Sequence, residues 1–544
     1  MPASDNVDGI DPEFEGRVLV VANRLPLSIK AKDNGEFDYS ISSGGLVSGL
    51  KGLSKVVDFK WFGWPGIDVH RNDKDGVRRH LLDNFNAIPI FLSEDLAQQH
   101  YNGFSNSILW PLLHRMPEKA ESDENWSNAY QEVNETFADN IVPYVEDNDL
   151  IWVHDYHLLL LPGILRERLK KKKGIKIGFF LHTPFPTEDY FTILPFREEI
   201  CRSLLLCDVI GFHTNQYAKD FLDSARIVLP GVSKSPSDLH WDGRRVLVHG
   251  FPLGIEADEW REKLQTDAAR KELQALQEEF KDQKVLLGVD RLDYIKGVPQ
   301  KLLAFDRFLT DNPEWVGKVV LVQLAIPTRA EVDAYRKLRE EVERLVGRIN
   351  GRHGMLPAML NSSSLERADS RWAPSATFRH NPIHYLYRSV KPEQLAALYA
   401  VADACIISSV RDGLNLVSYE YAACQEQKKG VLMVSNYVGA AKILPPSSMV
   451  IMNPWDKPRF AEKIKKVLLM SEEEREEKNV SVMKIVNNWT SAKWGKAFLE
   501  AMMTGEVPKI LGNPDRDPAE EWAFDLSDSQ IGNIISEAEA DFNK

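Results

Sequence analysis

The chain has 544 residues, 43% hydrophobic and 27% charged, the balance of a soluble globular protein too long for one ordinary core. Lys and Arg number 67 against 80 Asp and Glu, and the resulting charge of −13 excludes a uniformly basic nucleic-acid binder but leaves room for a local cationic pocket. The four cysteines form no CxxC pair, the start MPASDNVDGIDPEFEG lacks an apolar core, and no apolar run approaches a membrane span. A cytoplasmic protein with neither nucleic-acid nor membrane partners is therefore expected.

Residues 1–15 read as a disordered arm. The first strand is the continuous apolar run Val18–Ala22, and further runs follow at Leu150–His154, Ile175–Leu181, Val209–Phe212 and Val246–His249. Helical patterns lie between them, over Tyr130–Val145 and Leu158–Leu169, and the lysines 170–173 before Gly174 mark a helix end. Strands alternating with helices predict a parallel sheet covered on both faces. A boundary falls at Gly250–Gly254, followed by a charged helical stretch, Trp260–Lys281, and the strand–helix rhythm then resumes. Its strands are Val285–Val289, Val319–Ala325, Ala404–Val410, Gly430–Ser435 and Met449–Met452. Two doubly wound α/β domains in series are expected, with ligands at the carboxyl ends of the strands and a cleft between the sheets suited to two substrates. A helix over Asn487–Met503 and a polar, acidic tail over 506–544 complete the chain.

Four segments can carry chemistry. Asp412–Glu420 follows a strand and opens a helix whose N–H groups suit a diphosphate, while its two carboxylates suit sugar hydroxyls; a capped helix with a surface glutamate explains the same residues. Gly288–Gly297 places Arg291 and Lys296 on either side of a strand-to-helix turn, as cations for a phosphate or as surface partners of Asp290 and Asp293. Near the start, Asn23-Arg24-Leu25-Pro26 and the Gly44-Gly45 pair precede WFGWPG, Tyr101 and Trp110, whose rings are core residues unless a ligand says otherwise. Val153–His157 and Leu181–Pro186 carry histidines at strand ends. Their spacing does not fit zinc, and a structural role for each is open.

In order, NRLP, the Gly44-Gly45 loop, WFGWPG, WVHDYHLLLLP, FFLHTPFP, GVDRLDYIKG and RDGLNLVSYEY resemble the trehalose-6-phosphate synthases over residues 16–505. These are retaining glycosyltransferases that join UDP-glucose to glucose 6-phosphate, and the style of the sequence is similar to the fungal cytosolic enzymes. The resemblance implies a GT-B fold, two Rossmann-like domains facing a catalytic cleft. Residues 16–254 form the acceptor-side domain, 255–486 the donor-side domain, and 487–505 a helix packing back on the first. It implies that Arg291 and Lys296 hold the donor diphosphate, Asp412 the glucose hydroxyls and Glu420 the ribose. Asn415, Leu416 and Val417 grip phosphate and sugar through their backbone, Gly44 and Gly45 close over the donor, and His182 contacts the donor glucose. Arg24 and Arg329 bind the phosphate of glucose 6-phosphate, and Trp64, Tyr101, Trp110 and Asp155 line its pocket.

No metal or other cofactor is expected, because two cations and a helix start can neutralise the leaving diphosphate. The lack of a DxDG-type motif implies a partner phosphatase acting on trehalose 6-phosphate, with regulatory subunits in one complex, and a homo-oligomer. A catalytically impaired regulatory or sugar-phosphate-sensing subunit is the alternative; the presence of Arg291, Lys296, Asp412 and Glu420 weighs against it. Residues 355–376, a Ser-, Pro- and Ala-rich stretch, stand where relatives run on almost directly. They are either a retained in-frame intron or a lineage-specific surface loop.

Overall fold

A computed structural model of the chain describes residues 16–32, 37–42, 44–121, 123–329, 332–354 and 381–511. The expected arm 1–15, the stretch 355–376 and the tail beyond 511 lie outside the described residues. The chain divides into two compact units, one running to Glu256 and resuming at Trp489, the other spanning Ala257–Asn488. Among the described residues no helix is long and apolar enough to cross a membrane.

The first unit holds strands β1 (Val18–Arg24), β2 (Leu27–Ala31), β3 (Phe37–Ile41), β4 (Phe59–Trp64), β5 (Ala87–Pro89), β6 (Leu150–His154), β7 (Lys176–Phe180), β8 (Val209–Phe212), β9 (Ser233–Lys234), β10 (Asp238–Trp241) and β11 (Arg244–Gly250). Strands β2 and β3 pair as a separate hairpin. The other nine lie in the order β5-β4-β1-β6-β7-β8-β11-β10-β9, parallel from β5 to β11. The strand order reverses between β1 and β6, the position at which open α/β sheets bind ligands. Strand β1 is buried along VLVVA because helices cover both of its faces, which is why it reads as an unbroken apolar run.

The C-terminal helix Ser491–Thr504 belongs to this first unit. It lies very close to the sheet: a Cβ on Gly178 of β7 would stand 2.7 Å from a ring atom of Phe498, and one on Gly211 of β8 2.6 Å. Trp152 of β6 stacks on Phe498 with centroids 4.5 Å apart. The helix expected over Asn487–Met503 is in fact two. Glu472–Asn488 closes the second unit; the chain then breaks at Trp489, whose Nε1 donates to Pro252 O, and restarts under a Thr490 cap.

The second unit holds β12 (Lys284–Arg291), β13 (Val319–Ile326), β14 (Ile383–Tyr387), β15 (Ala404–Ile407), β16 (Val431–Ser435) and β17 (Met449–Met452), all parallel in the order β14-β13-β12-β15-β16-β17. Its reversal point lies between β12 and β15. The helix after β12 starts at Val298, since Gly297 sits at φ +64°. Two expectations need correction here. The stretch Trp260–Lys281 is two helices, Ala257–Gln265 and Asp267–Glu279, because the Thr266 side chain caps the second. The strand expected to reach Val410 leaves the sheet at Ile407, because Ser408 and Val410 bond instead to the Ile295–Gly297 backbone.

Behind β12 lies a fully buried ion pair. Lys301 Nζ, on the Val298–Asp311 helix, is 2.7 Å from Asp290 Oδ2 and 3.0 Å from Gln323 Oε1, and Gln323 Nε2 donates to the same aspartate oxygen. The pair pins β12 to the helix that follows it and to β13. Removing one partner strands a charge in the core, so Lys301→Met should cost about 3–5 kcal/mol. Denaturant unfolding measures this, and the Asp290→Asn, Lys301→Met double variant should recover a large part of the loss.

Candidate active site

At the reversal point of the second sheet, two strand-end loops converge on one carboxylate. Lys296 follows β12 in a 3₁₀ turn, Tyr294–Lys296, and its Nζ lies 2.5 Å from Asp412 Oδ2. The same oxygen accepts from Ser409 Oγ at 3.0 Å and from Asn415 Nδ2 at 3.1 Å. Asn415 adopts φ +69°, a left-handed conformation that asparagine tolerates better than most residues and that turns its amide back toward Asp412. The loops can approach this closely only because residue 297 is glycine: at φ +64°, a Cβ there would stand 2.1 Å from Ser408 O. Ser409 was not singled out from the sequence, because it reads as the apolar strand's last turn, and only the strand's early end exposes its role.

Other expected donor-site residues lie on the same two strand-end segments. Arg291 is the last residue of β12, in register with Ile326. Leu416 precedes the short helix Val417–Ala423, which carries Glu420. Glu420 Oε2 accepts from Tyr399 OH at 2.8 Å; burial pushes the carboxyl above its ordinary range, while the tyrosine bond and Lys263 pull it back. Arg329, expected to bind an acceptor phosphate, is here turned inward: its Nη1 is 3.4 Å from Asp293 Oδ2 and bonds to Tyr335 OH, and the side chain is 3% exposed. Among the described residues no group of three His, Cys, Asp or Glu is placed to hold a metal ion.

In the first unit, residues from both sides of its reversal point gather at the strand ends. Arg24 ends β1 opposite Trp64 of β4; its guanidinium lies 4.8 Å over the Trp64 ring and Nη2 donates to Gly66 O at 3.4 Å. Gly66, at φ +86°, leaves the space that the guanidinium fills. Asp155 follows β6 at φ +71°, a strained conformation for a residue with a Cβ, held by Asp155 N–H to Phe180 O and by Asp155 Oδ1 accepting from His182 N. Tyr101 stacks on His157 with centroids 5.5 Å apart. It lies in an eleven-residue π-helix, Gln99–Leu109, that delivers Trp110 against Tyr156 and His114. Such wide turns gather at functional sites, and no sequence pattern announces one. Gly44 precedes the helix that Gly45 opens, and space is open around its Cα.

His182 belongs to a buried cluster. Its Nε2 lies 3.2 Å from His154 Nδ1, its ring 5.3 Å from His213 and 6.1 Å from Trp494. Burial holds His154 down to about 3 and, together with His213 and His154, holds His182 well below the ordinary imidazole value. His100 and His249 are likewise depressed by burial, each to about 4. Below about pH 6.5 the unfolded chain takes up protons on these rings that the folded chain refuses. Stability is therefore full above that pH and falls as the solution is acidified toward the folded values. Each such ring should cost about 2 kcal/mol by pH 5. Thermal unfolding at pH 7, 6 and 5 should show the melting temperature dropping across this interval, and a constant value would contradict the burial of these histidines as neutral rings.

The model of glycosyltransferase family 20 matches residues 16–504. The alpha,alpha-trehalose-phosphate synthase [UDP-forming] of Candida albicans is 48% identical over 498 residues, 91% of this chain and 99% of that protein. The 56 kDa subunit of the Saccharomyces cerevisiae synthase is 47% identical over 90% of this chain and 94% of its own length. Among solved structures, the alpha,alpha-trehalose-phosphate synthase of Burkholderia xenovorans in complex with glucose-6-phosphate superposes with a TM-score of 0.75 at 29% identity, covering 90% of this chain and 100% of that one.

Proposed function

The chain belongs to glycosyltransferase family 20, with the α/β architecture of a GT-B fold, and we infer that it transfers glucose from UDP-glucose to glucose 6-phosphate with retention, forming α,α-trehalose 6-phosphate and UDP. The observation that carries the reading is the Lys296–Asp412 pair at the reversal point of the second sheet, with Ser409 and Asn415 on the same oxygen. An aspartate held this firmly offers fixed acceptor positions to sugar hydroxyls, and Lys296 and Arg291 place positive charge where a diphosphate would lie. Fixed charge aimed at the leaving group is the dominant catalytic term in such transfers. Glu420, kept by Tyr399, suits the two hydroxyls of a ribose, and the backbone of Asn415, Leu416 and Val417 offers its amides to phosphate and sugar.

Arg24, fixed over Trp64, is the acceptor-phosphate ligand of the first unit, beside the pocket residues Tyr101, Trp110 and Asp155. Gly44 and Gly45 cover the donor and His182 touches its glucose. Arg329, held through Nη1 by Asp293 and Tyr335, is the acceptor-phosphate ligand of the second unit. In the transfer, the anomeric hydroxyl of glucose 6-phosphate bonds to C1 of the donor glucose on the face from which the diphosphate departs. The C1–O bond to phosphate breaks, and the departing phosphate oxygen takes the hydroxyl proton. Retention follows without a protein nucleophile, and isolation of a glucosyl-enzyme adduct would overturn this step.

Arg291 and Lys296 supply the counter-charge, so no metal is required on this reading, and excess EDTA should leave the rate unchanged. Its four cysteines, free and buried, suit a reducing cytoplasm. The S. cerevisiae relative is named as a 56 kDa subunit, which favours a multi-chain assembly; a trehalose-6-phosphate phosphatase, regulatory chains and further copies of this chain are the partners we propose. Nothing favours an impaired regulatory role: Arg291, Lys296, Asp412 and Glu420 are present, and Lys296, Ser409 and Asn415 bond to Asp412.

UDP release from purified protein tests the assignment. Release should require both substrates, and equal release without glucose 6-phosphate would refute the acceptor. Arg291→Ala should lower kcat by about 100-fold or more. Arg24→Ala should raise the KM for glucose 6-phosphate about 10-fold or more while leaving the KM for UDP-glucose nearly unchanged.

A further inference from the structure

His154 takes no part in the reading above, yet it is completely buried and its Nδ1 lies 3.2 Å from His182 Nε2. Two neutral imidazoles in contact through these atoms share one proton between them, so one ring must donate and the other accept. Two arrangements are open. With the His154 proton on Nε2, that N–H would lie buried without a partner, and His182 would point its own Nε2–H at His154. With the proton on His154 Nδ1, the ring donates to His182 Nε2, and His182 keeps its proton on Nδ1.

The surroundings of His154 decide between them. Its Nε2 is buried without a hydrogen-bond partner, and so are the indole Nε1 atoms of Trp152 and Trp494, whose rings lie 4.6 and 6.3 Å from its own. An indole nitrogen can only donate. Protonating His154 at Nε2 would leave three buried N–H groups in one aromatic cluster without a hydrogen-bond partner. Leaving Nε2 as a lone pair adds no third orphaned donor to the two indoles, and orphaned buried N–H groups are the rarer defect in folded proteins.

We propose that His154 is a positioning residue that donates from Nδ1 to His182 Nε2, fixing His182 as its Nδ1–H tautomer so that it presents an N–H donor to an oxygen of the donor glucose. The inference rests on the reading that His182 touches that sugar. The neutral state matters to the chemistry. The transferring glucose becomes cation-like, and an imidazolium beside it would oppose the charge that an uncharged N–H donor tolerates. The buried aromatic surroundings that keep both rings neutral, Phe180, Trp152 and Trp494, thus serve the same end. His182 N–H is in turn tied to Asp155 Oδ1, so the backbone beneath the ring is held from the end of β6 as well.

Two measurements test the proposal. Long-range ¹⁵N–¹H correlation spectra of the full-length protein carrying ¹⁵N-histidine at pH 7, with peaks assigned by their loss in His182→Asn and His154→Asn, report which nitrogen of each ring is protonated. Both rings should show the Nδ1–H pattern, and an Nε2–H pattern on His182 overturns the proposal whatever the variants do. In steady-state kinetics, His154→Leu should lower kcat about 10- to 100-fold with the KM for glucose 6-phosphate unchanged. His154→Asn, which can still donate from the same place, should recover most of that loss. Equal activity of the leucine variant and the wild type also overturns it. If His182→Ala leaves kcat and the KM for UDP-glucose as in the wild type while the spectra show Nδ1–H, the donor-contact reading has failed and the tautomer assignment stands.

Discussion

The second unit is organised around the contact between Lys296 and Asp412, a cation and a carboxylate delivered by the loops after β12 and β15. Neither loop is rigid by its own composition. Each is held by what lies under it: Gly297 lets the backbone approach Ser408, Ser408 returns hydrogen bonds to Lys296 O and Gly297 O, and the Asp290–Lys301–Gln323 network ties β12 to the helix behind. A buried ion pair is poor at adding net stability but effective at allowing only one arrangement of its surroundings. Here that arrangement places a positive charge and a fixed acceptor side by side at the point where strand order reverses. The fixed charge at this point is therefore a property of the fold before any ligand arrives.

The first unit solves a different problem with aromatic packing. Its sheet accepts the C-terminal helix at very short range because Gly178 and Gly211 carry no side chains, and Phe498, Trp494 and Trp152 fill the space. The same cluster encloses His154 and covers part of His182, which keeps both rings neutral. Packing and protonation state are thus one decision. The strained Asp155 and the long π-helix that carries Tyr101 both belong to this first unit.

Much of this was legible in the chain. Val18–Ala22, Leu150–His154 and Val209–Phe212 lie where apolar runs were read, because strands covered on both faces leave no polar alternation to confuse the pattern. The segments around Arg291 and Asp412 were recognisable as strand-end loops for the same reason. Strand β4 ends within WFGWPG, whose rings read as core residues without marking a strand, and β14, with the half-buried pattern of an edge, gave no signal. Ser409, Tyr399 and His213 carried no signal, since a serine, a tyrosine or a histidine beside an apolar run is ordinary until its neighbour is known.

What the sequence determined by itself was local and periodic: the strand–helix alternation, the loops that end each strand, the family those loops resemble, and the charged residues available in them. Tertiary structure decided which charges meet. Lys296 and Asp412 are 116 residues apart, and no spacing rule brings their atoms within 2.5 Å. It also decided that Arg329 turns toward Asp293 and that His182 leans on His154. Those choices depend on burial and on the geometry of distant chain segments, quantities that a residue's own neighbours in sequence do not contain.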